Sequence, residues 1–367
     1  MVNSVEILKN ICYQFKIEKP ILNIEVLASG HINDTYLVSC CNNSNYILQR
    51  INNQVFTNLE YIINNKIIVS DFLKNTYNKT DSKYQVAGFI KSKNDAFFIE
   101  ANNGFWTLME YIPNSKTIDR AENEKQVFEA GKLFGNFIAS TSTLETEQIT
   151  ETLPKFHSVP FRFTQFEAAL KNARESRKTE AQALIDYVFE LQKEILVLSE
   201  LKEKNNFPIR ITHNDAKLSN ILFDKNDNGL AVIDLDTVMP GIVHFDFGDS
   251  IRSICSNTVE DSQDLKQTTI NLKFYEAYCK GFASETSNIL TLEEVKYLPL
   301  GIKTLIYIMG LRFLTDFLNN DVYYKTAYEN HNLIRAKNQM TLLKSAIQNY
   351  DEIKRITYSN FNLEDIS

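Results

Sequence analysis

The sequence has little of what marks several large protein classes. Its 367 residues include only 11 glycines and 7 prolines, which argues against long flexible linkers. The five cysteines show no metal-ligand spacing, and an odd number without a recognisable secretion signal is typical of a reducing cytoplasm. No apolar run approaches the roughly 18–20 residues of a membrane span, and the start of the chain does not resemble a signal peptide. We therefore expect a cytoplasmic protein with no membrane partner.

Positive charge is also scarce. There are 39 lysines and arginines against 46 acidic residues, so the net charge is −7, which argues against a nucleic-acid-binding surface but not against a nucleotide. Hydrophobic residues make up 44% of the chain and charged residues 23%, as in ordinary globular proteins. The length favours two domains, which we place at residues 1–110 and 111–367. Nothing in the composition indicates an obligate protein partner.

The strongest chemical pattern lies in residues 211–237. Two short apolar runs, 220–223 and 230–233, are typical of strands, and the residues between them are typical of a turn. This predicted hairpin is flanked by side chains suited to metal and phosphate, namely His213, Asp215, Lys217 and Asn220 before it and Asp234 and Asp236 after it. The clustering predicts a catalytic hairpin.

These residue types fit phosphoryl transfer. A carboxylate, Asp215, can orient the attacking hydroxyl, and Lys217 can offset charge on the moving phosphoryl group. The amide oxygen of Asn220 and the carboxylate of Asp234 suit Mg²⁺, a hard cation that takes oxygen ligands, and Asp236 is a further candidate ligand. We therefore predict Asp215 and Lys217 as catalytic residues and the other three as metal ligands.

Neighbouring motifs allow other interpretations. The run from Asp234 to Val238 also resembles the nucleophile motif of haloacid-dehalogenase-type phosphatases, but the further motifs of that class do not follow it. Asp246-Phe-Gly spells the protein-kinase metal motif, yet it lies 246 − 215 = 31 residues after Asp215, whereas Asp234 lies 234 − 215 = 19 after it. We therefore favour Asp234 as the metal ligand and interpret Asp246 as structural or substrate-facing.

A third hypothesis is that the chain is a nucleotide-binding module without catalytic activity. The presence of Asp215, Asn220 and Asp234 together argues against it, because a module without chemistry has no need of all three residue types. An assay of ATP consumption with a panel of sugars separates a kinase from a phosphatase and from this module.

The first hundred residues predict a sheet with one helix. Apolar and branched runs predict strands at 21–27, 35–39, 46–51, 85–90, 96–100 and 105–111, with a helix at 59–73 after the third run. Gly30 and Asn33 lie in the first turn, where backbone N–H groups can cradle phosphates, although an ordinary hairpin turn explains the same residues. The predicted hinge, Met109, Glu110 and Tyr111, would offer backbone groups to an adenine.

The third strand should carry a cation for the nucleotide phosphates. It contains Gln49 and Arg50, whose side chains must point to opposite faces because side chains alternate along a strand. We select Arg50 on charge and Glu60 as its partner from the following helix. The alternative is that Arg50 is a solvated edge residue.

The remainder of the chain is predicted to be mostly helical. Helical periods cover residues 121–139, 164–204, 264–281, 292–318 and 331–350. Arg312 interrupts an otherwise apolar run, and a charge on a buried face needs a partner. That partner is either an acceptor molecule or Asp316, one helical turn further on.

Taken together, the chain resembles the aminoglycoside phosphotransferase and choline kinase-like superfamily, and most of all the N-acetylhexosamine 1-kinases. The stretches that carry the resemblance are 30–36 with 47–52, 213–220, 232–241 with 246–249, and 310–316 with 321–323 and 331–335. They are spread over nearly the whole chain. The departure is the third strand, which lacks the expected lysine.

The resemblance implies an α+β, protein-kinase-like two-lobed fold, with a β-rich N-lobe and a mostly helical C-lobe. It implies Mg²⁺-dependent transfer from ATP to a free sugar, at the anomeric hydroxyl of an N-acetylhexosamine, with another sugar or an amino alcohol as the alternative acceptor. Helices within residues 290–350 would bind the acceptor. Arg312 and Tyr323 would contact the sugar, and His213 and Asp249 are further substrate-site candidates.

Overall fold

The computed structural model describes residues 5–17, 19–29, 33–51, 58–80, 82–102 and 104–363. The chain forms two compact units. The first contains Met1–Ser115 together with the short segments Glu147–Thr152 and Ile233–Val238. The second contains Lys116–Thr146, Leu153–Val232 and Met239–Ser367. Asp234 and Asp236 therefore belong to the first unit, although the hairpin that precedes them belongs to the second.

The first unit is built on an antiparallel sheet of five strands, one fewer than the six predicted runs. Its strands are β1 (Ile21–Ser29), β2 (Asn33–Cys40), β3 (Asn45–Ile51), β4 (Phe98–Ala101) and β5 (Gly104–Glu110), in the order β1-β2-β3-β5-β4. Helices α1 (Val5–Cys12) and α2 (Leu59–Thr80) accompany it. Trp106, Leu48 and Val38 are fully buried in its core, and α1 packs its apolar side chains into the same cluster.

The predicted strand at 85–90 is wrong. Strand β4 pairs with β5 only over residues 104–107 of β5. Beyond that point Ile90 donates its N–H to the Leu108 carbonyl oxygen and Glu110 donates to the Gly88 carbonyl oxygen, both at 2.8 Å. Because β4 already occupies the rest of that edge, the segment makes an isolated bridge and does not extend into a strand.

The second unit is mostly helical. Its helices are α3 (Glu124–Ser140), α4 (Val159–Asn172), α5 (Glu175–Glu203), α6 (Val243–Ile254), α7 (Leu272–Thr286), α8 (Leu292–Leu318), α9 (His331–Gln348) and α10 (Tyr350–Asn360). The helical period predicted over 164–204, which fits either two helices or one kinked helix, appears as two helices, α4 and α5, separated at Ala173. The predicted helix at 264–281 begins only at Leu272, where Asn271 caps it by accepting the Phe274 N–H.

Helix α8 is the centre of the second unit. It begins at a capping box in which Thr291 and Glu294 each accept the other's backbone N–H. Among the described residues it is the one helix with the length and apolar composition of a membrane span, but 83% of its most apolar window is buried inside the protein. It therefore serves as a core helix. Gly301 lets α6 pack closely, because a Cβ there would lie 2.6 Å from the His244 carbonyl oxygen.

Two short ladders hold the predicted catalytic hairpin. Strand β6 (Arg210–Thr212) pairs with β9 (Met239–Gly241), and β7 (Ile221–Phe223) pairs with β8 (Gly229–Val232). Asp224 closes the turn between β7 and β8 by accepting the N–H groups of Asn226 and Asn228. The loop from 213 to 220 is thus anchored by a strand at each end.

Candidate active site

The loop between β6 and β7 brings three predicted side chains together. Lys217 Nζ lies 2.7 Å from Asp215 Oδ2, and Asn220 Nδ2 donates to the same oxygen at 3.0 Å. Burial would raise the pKa of Asp215, but the charge and hydrogen bond of Lys217, with His213 and Asn220, hold the pKa below its ordinary value. Asp215 is therefore a carboxylate at neutral pH, while its side chain keeps 31% of its surface exposed.

Asn220 is oriented by the backbone of Asp215. Its Nδ2 donates to the Asp215 carbonyl oxygen at 2.9 Å, and a carbonyl oxygen can only accept. The amide oxygen of Asn220 therefore points away from Asp215, and it accepts no hydrogen bond from the residues that the structure describes. An amide oxygen in this position fits the oxygen chemistry of Mg²⁺.

Helix α6 holds the loop of residues 213–220 through hydrogen bonds to Asp246. Its two carboxylate oxygens accept the backbone N–H groups of His213 and Asn214, at 2.7 and 2.6 Å. Ser250, one turn along the same helix, donates its hydroxyl to the Ala216 carbonyl oxygen at 2.7 Å. Asp246 therefore has a structural role, which was one of the two roles expected for it; the other was to face the substrate. The sequence reasoning missed Ser250, although its spacing of four from Asp246 places it on the same helical face.

Asp246 makes the stability of the protein depend on pH. Burial raises its pKa from 3.8 to about 6, against the opposing effects of His213 and the two N–H donors. A pKa raised on folding contributes stability that is fully present below 3.8 and is lost as the pH rises through about 6. Relative to Asp246→Asn, the free energy of unfolding of the wild type should therefore fall over this range. Urea unfolding of both proteins between pH 3.8 and about 6 measures the two free energies of unfolding. If the free energy of the wild type minus that of Asp246→Asn rises with pH, the pKa of Asp246 is not raised by folding.

Two residues predicted to contact the substrate, His213 and Asp249, are buried and contact other side chains of the protein. The His213 ring is fully buried, with Phe134 and Phe137 edge-on at 5.7 and 5.9 Å. The Asp249 carboxylate is buried and lies 2.8 Å from the Arg252 guanidinium. Burial raises the pKa of Asp249 despite that partner. In this structure both side chains make contacts within the protein, and their role as substrate contacts stays a prediction.

In the first unit a buried cation lies on helix α2 and not on strand β3. Lys66 Nζ donates to Gln49 Oε1 at 2.8 Å and forms an ion pair with the Asp236 carboxylate. Only 2% of the Lys66 side chain and 5% of the Asp236 side chain are exposed. The second oxygen of Asp236 accepts from Asn33 Nδ2. Both oxygens of Asp236 are thus engaged by protein donors, which weakens the prediction that it binds metal.

The selected pair of Arg50 and Glu60 does not form. Gln49 faces the buried side of β3, and Arg50 faces the other side, where it lies 3.6 Å from Asp34 and over the Trp106 ring. Glu60 is exposed at the start of α2. The alternation along β3 is confirmed, but the pairing was wrong because the cation opposite Gln49 comes from Lys66.

The predicted hinge lies at the end of β5. The N–H groups of Glu110 and Tyr111 donate to the Gly88 and Asn45 carbonyl oxygens, so the sheet already uses them. Met109 of β5 lies opposite Ile47 of the neighbouring strand β3. Adenine recognition through these two N–H groups therefore does not fit this arrangement. Gly30 lies outside the described residues.

Arg312 and Tyr323 come together in the second unit. The Arg312 guanidinium lies 5.9 Å from the Tyr323 ring, 5.5 Å from the Tyr324 ring and 5.3 Å from the Phe156 ring. The expected alternative, an ion pair of Arg312 with Asp316, is wrong. The Asp316 carboxylate instead accepts the backbone N–H groups that follow α8, at residues 322–324.

The comparisons with known proteins agree with this arrangement. The model of the phosphotransferase enzyme family (APH) matches residues 23–281, well over half of the chain. In fold, the chain is similar to a microcompartment-associated aminopropanol kinase, with 14% identity, a TM-score of 0.63, and coverage of 96% of this chain and 99% of that one.

Two further solved structures share the fold. An amicoumacin kinase in complex with AMP-PNP, Ca²⁺ and Ami has 14% identity, a TM-score of 0.60, and coverage of 93% of this chain and 94% of that one. A choline kinase from Cryptosporidium parvum has 12% identity, a TM-score of 0.56, and coverage of 98% and 100%. The α+β two-lobed kinase fold is thereby confirmed. The family match, together with the loop that carries Asp215, Lys217 and Asn220, shows that the chain belongs to the APH phosphotransferase enzyme family.

Proposed function

We propose that the protein is a cytoplasmic ATP-dependent kinase that phosphorylates a free sugar, at the anomeric hydroxyl of an N-acetylhexosamine. The observation that carries the kinase activity is the cluster of Asp215, Lys217 and Asn220 on one anchored loop. The resemblance to N-acetylhexosamine 1-kinases, together with Arg312 among aromatic rings, supports the sugar. Aromatic faces and guanidinium groups are suited to packing on a sugar ring and to donating hydrogen bonds to its hydroxyls.

In this proposal Asp215 orients the acceptor hydroxyl and receives its proton as the oxygen attacks the γ-phosphoryl group of ATP. Lys217, 2.7 Å from Asp215, keeps that carboxylate ionised and offsets charge on the transferred group. Asp246 and Ser250 hold the loop in place, so the hydroxyl meets a fixed carboxylate.

Mg²⁺ is the metal that we propose for the reaction. The amide oxygen of Asn220 and the carboxylate of Asp234, which is exposed, are the ligands we assign to it. When bound, the ion neutralises charge on the phosphate oxygens of ATP. We do not include Asp236, because Lys66 and Asn33 engage its oxygens.

Arg312 gives a direct test of the acceptor. Loss of a charged hydrogen bond costs about 1.5–3 kcal/mol, so Arg312→Ala should raise the sugar KM, or lower kcat/KM, by roughly tenfold to a hundredfold. The KM for ATP should stay the same. Steady-state kinetics with each substrate varied in turn measures both constants. Thermal unfolding of the variant at the wild-type temperature confirms that it is folded, and an unchanged sugar KM in the folded variant would remove Arg312 from the site.

A panel assay tests the function itself. ATP consumption is measured with Mg²⁺ and, in turn, free hexoses, N-acetylhexosamines and amino alcohols. The proposal predicts that N-acetylglucosamine or N-acetylgalactosamine gives the highest kcat/KM. Preferred turnover of an amino alcohol would replace the sugar with the alternative acceptor class. Phosphate release from a phosphoester without ATP would instead indicate a phosphatase, with Asp234 as nucleophile.

A further inference from the structure

We propose that the second unit selects against positively charged acceptors, through two guanidinium groups, Arg162 and Arg312, that have no carboxylate partner among the residues the structure describes. We call them the arginine couple. The inference rests on the proposed function, since it concerns the acceptor of the same reaction, and it predicts which chemical classes that site rejects.

Both guanidinium groups of the arginine couple lie near the same aromatic ring. The Arg162 and Arg312 guanidinium groups lie 5.9 and 5.3 Å from the centre of Phe156. Arg162 donates to the Phe156 carbonyl oxygen, at 2.8 and 3.1 Å, and to Gln165 at 2.9 Å. The polar contact of Arg312 is with the sulfur of Met309 at 3.5 Å. Every one of these acceptors is neutral, so the positive charges are uncompensated.

The carboxylates of the surrounding elements are already engaged. Asp215 pairs with Lys217 at 2.7 Å, while Asp249 and Glu260 both pair with Arg252, at 2.8 and 2.7 Å. None of them lies within 4 Å of the arginine couple in the part of the chain that the structure describes. Arg162, Arg312, Lys217 and Arg252 thus bring four positive charges against the three negative charges of Asp215, Asp249 and Glu260. The surface keeps a local excess of one positive charge (4 − 3 = 1) in a protein whose net charge is −7.

The charge of Arg312 acts on Arg162, which stays protonated at neutral pH. Burial, and then the charge of Arg312, lower the pKa of Arg162 to about 10, which still leaves it protonated. Holding two like charges together is costly, so a third positive charge brought by an acceptor would be strongly disfavoured. A hydroxyl or an amide oxygen, by contrast, can accept a hydrogen bond from a guanidinium group.

His157 connects the arginine couple to the catalytic loop. Its Nε2 lies 3.3 Å from the carbonyl oxygen of Asn214, the residue before Asp215. Burial, and then the charge of Arg312, lower the pKa of His157 to about 3, so the ring is neutral. Asp215 also acts electrostatically on the same ring. The His157 ring therefore lies against the catalytic loop, and the charge of Arg312 acts on the same ring.

The acceptors of some kinases with this fold are positively charged. Aminopropanol and choline, the acceptors named for two of the solved structures, carry an amine or a quaternary ammonium group. N-acetylation of an amino sugar removes its positive charge and adds an amide oxygen. The arginine couple therefore predicts that the protein accepts the N-acetyl form of an acceptor and rejects the free amine.

The experiment compares acceptors that differ only in this group. The kcat/KM values of the full chain are measured for glucosamine against N-acetylglucosamine and for ethanolamine against N-acetylethanolamine, at a pH at which the amines are protonated. The N-acetyl member of a pair should be preferred by about tenfold or more, equivalent to at least about 1.4 kcal/mol. Arg312→Gln should reduce this preference, and Arg312→Lys, which keeps the charge, should retain it. Arg355→Gln, on the exposed surface of α10, is the matched control and should leave it unchanged.

The outcomes separate this inference from the proposed function. Equal or faster turnover of the amine members would overturn the charge selection, whichever pair is used. An undiminished preference in Arg312→Gln would also overturn it, because the preference would then come from shape alone. If N-acetylethanolamine is turned over and neither sugar is, the proposed sugar kinase fails, while the preference within the ethanolamine pair still supports the arginine couple.

Discussion

Replacement of Asp215 by asparagine should lower kcat by roughly 10²- to 10⁴-fold, the usual value of a positioned acid–base group. Asparagine keeps the shape of the side chain but loses the charge that orients the hydroxyl and accepts its proton. The loop stabilises the ionised form of Asp215, because Lys217 and Asn220 both donate hydrogen bonds to the same carboxylate oxygen. The KM for ATP should change little, because in our proposal Asp215 acts on the acceptor.

Steady-state kinetics of purified Asp215→Asn measures the effect, with the sugar and ATP varied in turn. Asp186→Asn is a matched control, since that carboxylate lies on the exposed face of α5 and accepts from Gln182 one turn earlier. It should retain the wild-type kcat. Full activity of Asp215→Asn would remove this residue from the mechanism.

The second large effect concerns the buried ion pair of the first unit. Lys66→Met leaves the Asp236 carboxylate buried with Asn33 and without its cation. Removal of one member of a buried pair costs about 3–5 kcal/mol, because the remaining charge stays desolvated. We therefore expect a loss of this size in the free energy of unfolding. Urea-induced unfolding, followed by circular dichroism, measures the loss.

The same helix provides the control. Lys74 also pairs with a carboxylate, Glu110, but both side chains are nearly half exposed. Lys74→Met should therefore cost less than about 1 kcal/mol. Addition of Asp236→Asn to Lys66→Met should recover part of the loss, because it removes the stranded charge. Equal effects of Lys66→Met and Lys74→Met would show that the Lys66–Asp236 pair does not stabilise the fold.

The local parts of the site are those that the sequence predicted. Asp215, Lys217 and Asn220 lie within six residues, and the spacing alone brings them onto one loop. The strands around them were recognisable because turn residues separate two short apolar runs. The helices α5 and α8 were similarly recognisable from long periodic patterns.

What the sequence missed depends on contacts between distant residues. Arg50 was preferred to Gln49 on charge, but the buried cation is Lys66, which lies 17 residues after Gln49 and on another element. Arg312 did not pair with Asp316, because the chain turns back after α8 and its N–H groups occupy that carboxylate. In both cases the partner is decided by backbone or side-chain groups whose positions only the fold determines.

The central claim is transfer of phosphate to the anomeric oxygen of a free sugar, and phosphorus NMR of the reaction product tests it most directly. The protein is incubated with ATP, Mg²⁺ and N-acetylglucosamine, and the coupling of the new phosphorus signal to sugar protons identifies the phosphorylated oxygen. Our account predicts coupling to the anomeric proton in the wild-type product, and product formation slowed by roughly 10²- to 10⁴-fold in Asp215→Asn. A phosphate on another hydroxyl, or no sugar phosphate while an amino alcohol is phosphorylated, would contradict it.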